Sequence, residues 1–240
     1  MDLYFYLVIG ILIFFGFTVR VITGFGSTML IAPLLTFLLE PKQVVVFVIL
    51  LESAVGVLFA LKEQLSFTLK PLFIGGILGI LTGIVLFEIV TQRFVGLIIG
   101  VSVLIFSILF LMNVTFRTER ERPLFAALGF LSGSMGVLTG INGPQIVLGL
   151  VNQGYDGIFV RRCMISYLLV VDLVTLASFA VAGYVVAHLL LLLVFALPFL
   201  VLAYLAGTYI LRFVDQEHLK RAILMITLLA GLLAIWKFVP

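Results

Sequence analysis

The sequence predicts an all-α polytopic membrane protein made of two inverted repeats. Each repeat is expected to hold a broken or re-entrant helix pair at a glycine-rich turn, plus three further transmembrane helices. Three observations carry this. First, 64% of the 240 residues are hydrophobic and only 10% are charged, where a water-soluble domain has roughly half apolar and about a quarter charged residues. Second, the apolar stretches are cut by two similar glycine-rich breaks, one in each half. Third, the Lys and Arg residues collect on one side only if the chain turns back at both breaks.

Surface of this composition must face lipid, and a mean hydropathy of +1.38 agrees. The net charge is only +3, and in a membrane protein such an excess reflects loop topology, so no nucleic-acid partner is expected. Cys163 is the single cysteine, which excludes an intrachain disulfide and the Cys/His pairings of a zinc or redox centre. His188 and His218 fall near segment ends. No metal, cofactor or catalytic residue is expected. Met1-Asp2-Leu3 lacks the positive region of a secretory signal, so the first apolar segment is expected to stay as a spanning element.

In order, apolar segments are expected at 3–22, 26–39, 43–62, 70–89 and 93–113, and then at 123–139, 144–152, 160–187, 189–212 and 217–238. Residues 1–113 form the first repeat, 114–122 a polar cytoplasmic linker, and 123–240 the second repeat. At about 1.5 Å per residue a crossing needs roughly 20 residues. The second and seventh segments are too short, and both follow glycine-rich breaks.

The halves correspond in sequence. Thr23-Gly24-Phe25-Gly26-Ser27 aligns with Thr139-Gly140-Ile141-Asn142-Gly143, and the same offset pairs Glu40 with Asp156. Gly83 and Gln92 match Gly207 and Gln216 at a slightly larger offset, which implies an insertion. Internal duplication is a common way to build a transporter.

Loop charge then selects the topology. If the chain reverses at each break, ten cations (Lys62, Lys70, Arg117, Arg120, Arg122, Arg161, Arg162, Arg212, Lys220 and Arg221) share one side, and only Lys42, Arg93 and Lys237 face the other. If it runs straight through, the division is seven against six. Cytoplasmic loops gather Lys and Arg, so reversal is preferred and both termini are expected outside. Five direction changes per half then invert the second half relative to the first.

The breaks are the candidate site. In the first, Gly24 and Gly26 free the backbone, and Ser27 or Thr28 suits the N-cap of the next helix. In the second, Gly140 and Gly143 flank Asn142, a suitable N-cap, and Pro144 suits the first helical position. Backbone N–H groups and two positive helix ends would converge on an anion, with Thr23, Thr139 and Gln145 as added donors. The alternative is that these small residues serve tight packing, an account that fits Gly75, Gly76, Gly79 and Gly83 well.

Arg20, Glu52, Glu88 and Asp172 lie within apolar segments, where charge costs about 2.5–3.5 kcal/mol even on permissive scales. Arg20 either holds an anion or pairs with Glu52 or Asp172. Glu52 and Asp172 either exchange protons or make structural polar contacts. Glu88 is expected to reach solvent.

With these motifs in place, the chain resembles the sulfite exporter TauE/SafE family. That family has a Gly-x-Gly-Gly or Gly-x-Gly-Ser turn soon followed by proline in each half. Gly24-Phe25-Gly26-Ser27 with Pro33 is the first copy here. Gly140-Ile141-Asn142-Gly143 with Pro144 is the second, departing at Asn142. The resemblance implies a secondary transporter, not an enzyme, that exports sulfite, sulfoacetate or another organosulfonate. It implies a multi-pass place in a bacterial inner membrane. The residues themselves point to an anion without singling out sulfur, and a carboxylate would also fit. An anion channel using the same donors, an intramembrane enzyme and the membrane subunit of an ATP-driven complex are the competing classes. The expected partners are the small anion and the lipid bilayer, with a homodimer the common state of such carriers.

Overall fold

A computed structural model describes residues 3–23, 26–210 and 216–239. Among them are ten α-helices and no strand: α1 (Leu3–Thr23), α2 (Ser27–Leu35), α3 (Pro41–Ala60), α4 (Lys70–Ile89), α5 (Gln92–Leu111), α6 (Glu121–Thr139), α7 (Gly143–Asn152), α8 (Gly157–Val181), α9 (Ala187–Ile210) and α10 (Gln216–Phe238). Seven of these are long and apolar enough to cross a membrane, namely α1, α3, α4, α5, α8, α9 and residues Arg221–Phe238 of α10. The chain is thus a multi-pass membrane protein by length and composition. α2 and α7 are too short, with 9 and 10 residues. α6 falls outside the seven because its 19 residues open on Glu121-Arg122-Pro123, which leaves too short an apolar run behind them, itself interrupted by Gly129, Ser132, Gly133, Ser134 and Gly136.

Those small residues serve packing. α4 and α6 run parallel with glycines facing backbone. A Cβ on Gly75 would lie 2.1 Å from the Ala126 carbonyl, and one on Gly79 would lie 2.2 Å from that of Phe130. In return, a Cβ on Gly129 or Gly133 would lie 2.1 Å from the carbonyls of Leu72 and Gly76. Small residues that bring backbones this close are the usual means of holding helices together in lipid. Gly207 of α9 repeats the device against α1, where a Cβ would meet Val21 and the Thr18 carbonyl. Gly83 of α4 does so against Val137 and Ser134 of α6. Val21 and Thr18 precede Val137 and Ser134 by the same offset that aligns the two glycine-rich breaks.

The remaining pairs follow the same exchange. α3 packs on α8, α5 on α10, α2 on α10, and α7 on α5. The ends of the bundle are equally defined. At one end, the Lys42 amide donates to Gln92 Oε1, Arg93 Nε to the Phe238 carbonyl, and Lys237 to the Thr36 carbonyl. This end therefore holds the close of α2, the starts of α3 and α5, and the close of α10. At the other end, Arg161 pairs with Glu63 at 2.8 Å, and the Ser66 amide donates to Ser166.

The linker is strapped to α7. The Phe116 amide donates to Asn152 Oδ1, and Asn152 Nδ2 donates to the Val114 carbonyl. With its amide oriented to satisfy both atoms, Gln153 exchanges two hydrogen bonds with the Thr118 backbone. Tyr155 donates to Glu121 at the start of α6. The close of α7 therefore returns to the end of the bundle from which α6 sets out. Two segments stop short of expectation: α2 ends at Leu35 instead of 39, and α8 ends at Val181 instead of running toward 187, because Gly183 adopts φ +79° and ends the helix.

Candidate functional site

Both breaks turn through a left-handed glycine. Gly26 has φ +92° and Gly140 φ +75°, a conformation that only glycine adopts without cost. Gly26 itself is the N-cap of α2. This corrects the expectation for Ser27 and Thr28, which are the first two helical residues and turn their hydroxyls elsewhere. Asn142 is the N-cap of α7, as expected, but its side chain makes no cap hydrogen bond. Pro144 stands second in that helix, where its missing N–H leaves no gap. Gly24 lies outside the described residues, as does the Thr23 side chain.

The freed side chains reach buried acids. Ser27 Oγ and Thr28 Oγ1 both donate to Glu52 Oε1, at 2.5 and 3.0 Å. Glu52 Oε2 forms an ion pair with Arg20. In the second half, Asn142 Nδ2 donates to Asp172 Oδ1 at 2.6 Å. Each turn thus grips the carboxylate on the third helix of its own half. Of the two roles open to Arg20, the described geometry contains the pairing with Glu52. The guanidinium also lies 6.0 and 5.8 Å from the ring centroids of Phe17 and Phe59, close enough for cation–π attraction. Arg20, Glu52 and Asp172 are all buried, at 4%, 3% and 0% exposure. Glu88, by contrast, is exposed.

The two turns meet. A Cβ on Gly140 would sit 3.4 Å from Thr28 Cγ2. Between them is a cavity of about 20 Å³ lined by Arg20, Gly26, Ser27, Thr28, Glu52, Asn142 and Gly143, with Met29, Ile141, Pro144 and Leu168 completing the wall. That is room for about one water. Thr139 and Gln145 are buried but do not line this space. Thr139 Oγ1 donates to the Met135 carbonyl and accepts from the Ile141 amide, while Gln145 Nε2 donates to the Ile141 carbonyl. Both brace the turn. Ser132 does so as well by donating to the Asn142 carbonyl. It escaped the sequence reading, since a serine in a small-residue stripe reads as packing.

A second cavity, about 220 Å³ and almost wholly apolar, lies between α1, α3 and α9. Phe17 and Phe59, the rings beside Arg20, form part of its wall, together with Lys62 and Tyr204. Lys62 donates to the Tyr204 hydroxyl at 3.3 Å.

A bundle with seven spanning-length helices, paired broken turns and an ion pair buried among them belongs to the class of multi-pass membrane proteins with a polar centre. The sequence model of the family described as Sulfite exporter TauE/SafE matches residues 8–234. The chain belongs to that family, and is by that membership a membrane transporter of the sulfite exporter kind. No curated protein and no solved structure matches it.

Proposed function

We propose that the protein is an ion-coupled secondary carrier exporting a small sulfur-containing anion, sulfite or an organosulfonate, through a site between residues 23–28 and 139–145. The observation that carries this reading is the meeting of two helix beginnings over one small polar cavity that also holds Arg20. The first residues of α2 and α7 have N–H groups without intrahelical partners, and both helix dipoles place positive potential there. A sulfonate or sulfite offers three acceptor oxygens to donors converging from several directions.

The arrangement supports alternating access. The cavity has room for about one water, so a sulfite or sulfonate anion enters only when the turns separate, and an open pore is disfavoured. The apolar cavity beside Arg20, with Lys62 on its wall, is the approach we assign to the cytoplasmic side. Two inverted repeats are supported by the exchange symmetry of the packing, and re-entrant pairs by the return of α7 to the end where α6 begins. Both termini would then be extracytoplasmic.

Charge supplies the coupling. With all three groups ionised, Arg20, Glu52 and Asp172 sum to −1, which repels an arriving anion. A proton on Glu52 or Asp172 removes that excess, and on Glu52 it also releases Arg20 to the anion. The test is direct binding of sulfite, sulfoacetate and carboxylates to purified protein, ranked by thermal shift. Arg20→Ala and Asn142→Ala are expected to weaken the preferred ligand at least ten-fold. Unchanged affinity in both removes the site.

A further inference from the structure

Asp172 uses only half of its carboxylate. Oδ1 accepts from Asn142, but Oδ2 has no hydrogen-bond partner although the residue is fully buried. Among the described residues three other buried oxygens are also without partners, Thr175 Oγ1, Ser53 Oγ and Gln145 Oε1, and the first two lie on the packed helices α8 and α3. Thr175 follows Asp172 by three residues on α8, so both side chains face the same way. Ser53 belongs to α3, which runs antiparallel to α8: Glu63 meets Arg161, and Gly56 abuts Leu169. One turn further along that register, Ser53 stands opposite Asp172.

A buried carboxylate oxygen without a donor is costly, and two hydroxyls brought to the same crossing would normally relieve it. Here they form no hydrogen bond with it. Uncommitted oxygens at the meeting of two helices near the centre of a carrier are the setting in which transporters bind coupling ions. A single carboxylate with neutral oxygen ligands matches a monovalent charge. One such charge also cancels the −1 of Arg20, Glu52 and Asp172.

We infer that Asp172, Thr175 and Ser53 bind a sodium ion at the crossing of α3 and α8. Its link to transport rests on the carrier reading above, with Asn142 as the connection: the residue bonds Asp172 and also lines the cavity between the turns. Sodium at Asp172 offsets the charge that repels the anion, so each ligand tightens the other by the same factor.

The cation site can be tested without any exported anion. Purified full-length protein is unfolded thermally in NaCl, KCl or choline chloride at equal ionic strength and pH. The expected result is a midpoint that rises with Na⁺ in the wild type, because a ligand held only by the folded form stabilises it. Thr175→Val and Ser53→Ala should each raise the half-saturating Na⁺ concentration at least ten-fold while unfolding near the wild-type midpoint in choline. Asp172→Asn should abolish the response. The inference is overturned if Na⁺ acts no differently from choline, or if the hydroxyl variants respond like the wild type. A midpoint that follows pH and ignores Na⁺ overturns it too and leaves a proton on Asp172. In every one of these cases the anion screen still decides the carrier reading separately.

Discussion

Arg20 and Glu52 lie among apolar helices, and each is tolerable there because of the other. Removing one member of a buried pair strands its partner's charge, a loss of about 3–5 kcal/mol, whereas replacing both by neutral groups of similar volume is often close to harmless. Arg20→Met is therefore expected to lower the unfolding midpoint sharply, since Glu52 would retain only the Ser27 and Thr28 hydroxyls. Arg20→Met combined with Glu52→Gln should recover most of that loss, because the glutamine amide still accepts from both hydroxyls. Midpoints of the two variants in detergent check this, and a double variant no more stable than the single would contradict the pairing. The acids at residues 52 and 172 were legible in the sequence as charges out of place. Ser53 and Thr175 were not, because a lone hydroxyl in an apolar helix ordinarily bonds back to its own turn. Only the fold shows that these two do not.

At the scale of elements, most helix positions were readable from apolar run length, and Pro144 marked the start of α7 to within one residue. The errors arose where backbone geometry overrides residue preference. Ser27 and Thr28 have the chemistry of caps, yet Gly26 takes that place because the turn needs φ +92° and the hydroxyls gain more by reaching Glu52. The end of α8 was hidden because Gly183 is flanked by apolar residues. The glycine packing of α4 on α6 was legible, and it can be measured. Gly133→Ala should destabilise by about 1–3 kcal/mol, the usual cost of overpacking, since its Cβ would lie 2.1 Å from the Gly76 carbonyl. Gly157→Ala opens α8, where a Cβ meets nothing within 4 Å, and should change stability by no more than about 0.5 kcal/mol. Equal losses in the two variants would mean that the α4–α6 contact is not what holds these helices together.

For the whole molecule, loop charge and three-dimensional packing bear on one question by independent routes. The charge count puts residues 40–42, 91–93 and the C-terminus on one side, and residues 62–70, 114–122 and 157–162 on the other. The contacts bring Lys42 to Gln92 and Arg93 to Phe238, and Glu63 to Arg161. A chain running straight through its glycine breaks would separate the partners in the last two pairs by the thickness of the bilayer, with Arg93 opposite Phe238 and Glu63 opposite Arg161. Single cysteines in a Cys163→Ser background decide between the paths by labelling with a membrane-impermeant thiol reagent in right-side-out and inverted vesicles. Glu40→Cys and Val239→Cys are expected to react from the outside, and Ile158→Cys from the inside. Under the straight path Glu40→Cys would react together with Ile158→Cys, and Val239→Cys would react from the opposite face. That pattern would rule out the proposed inverted arrangement, and with it the opposed helix beginnings to which we assign anion binding.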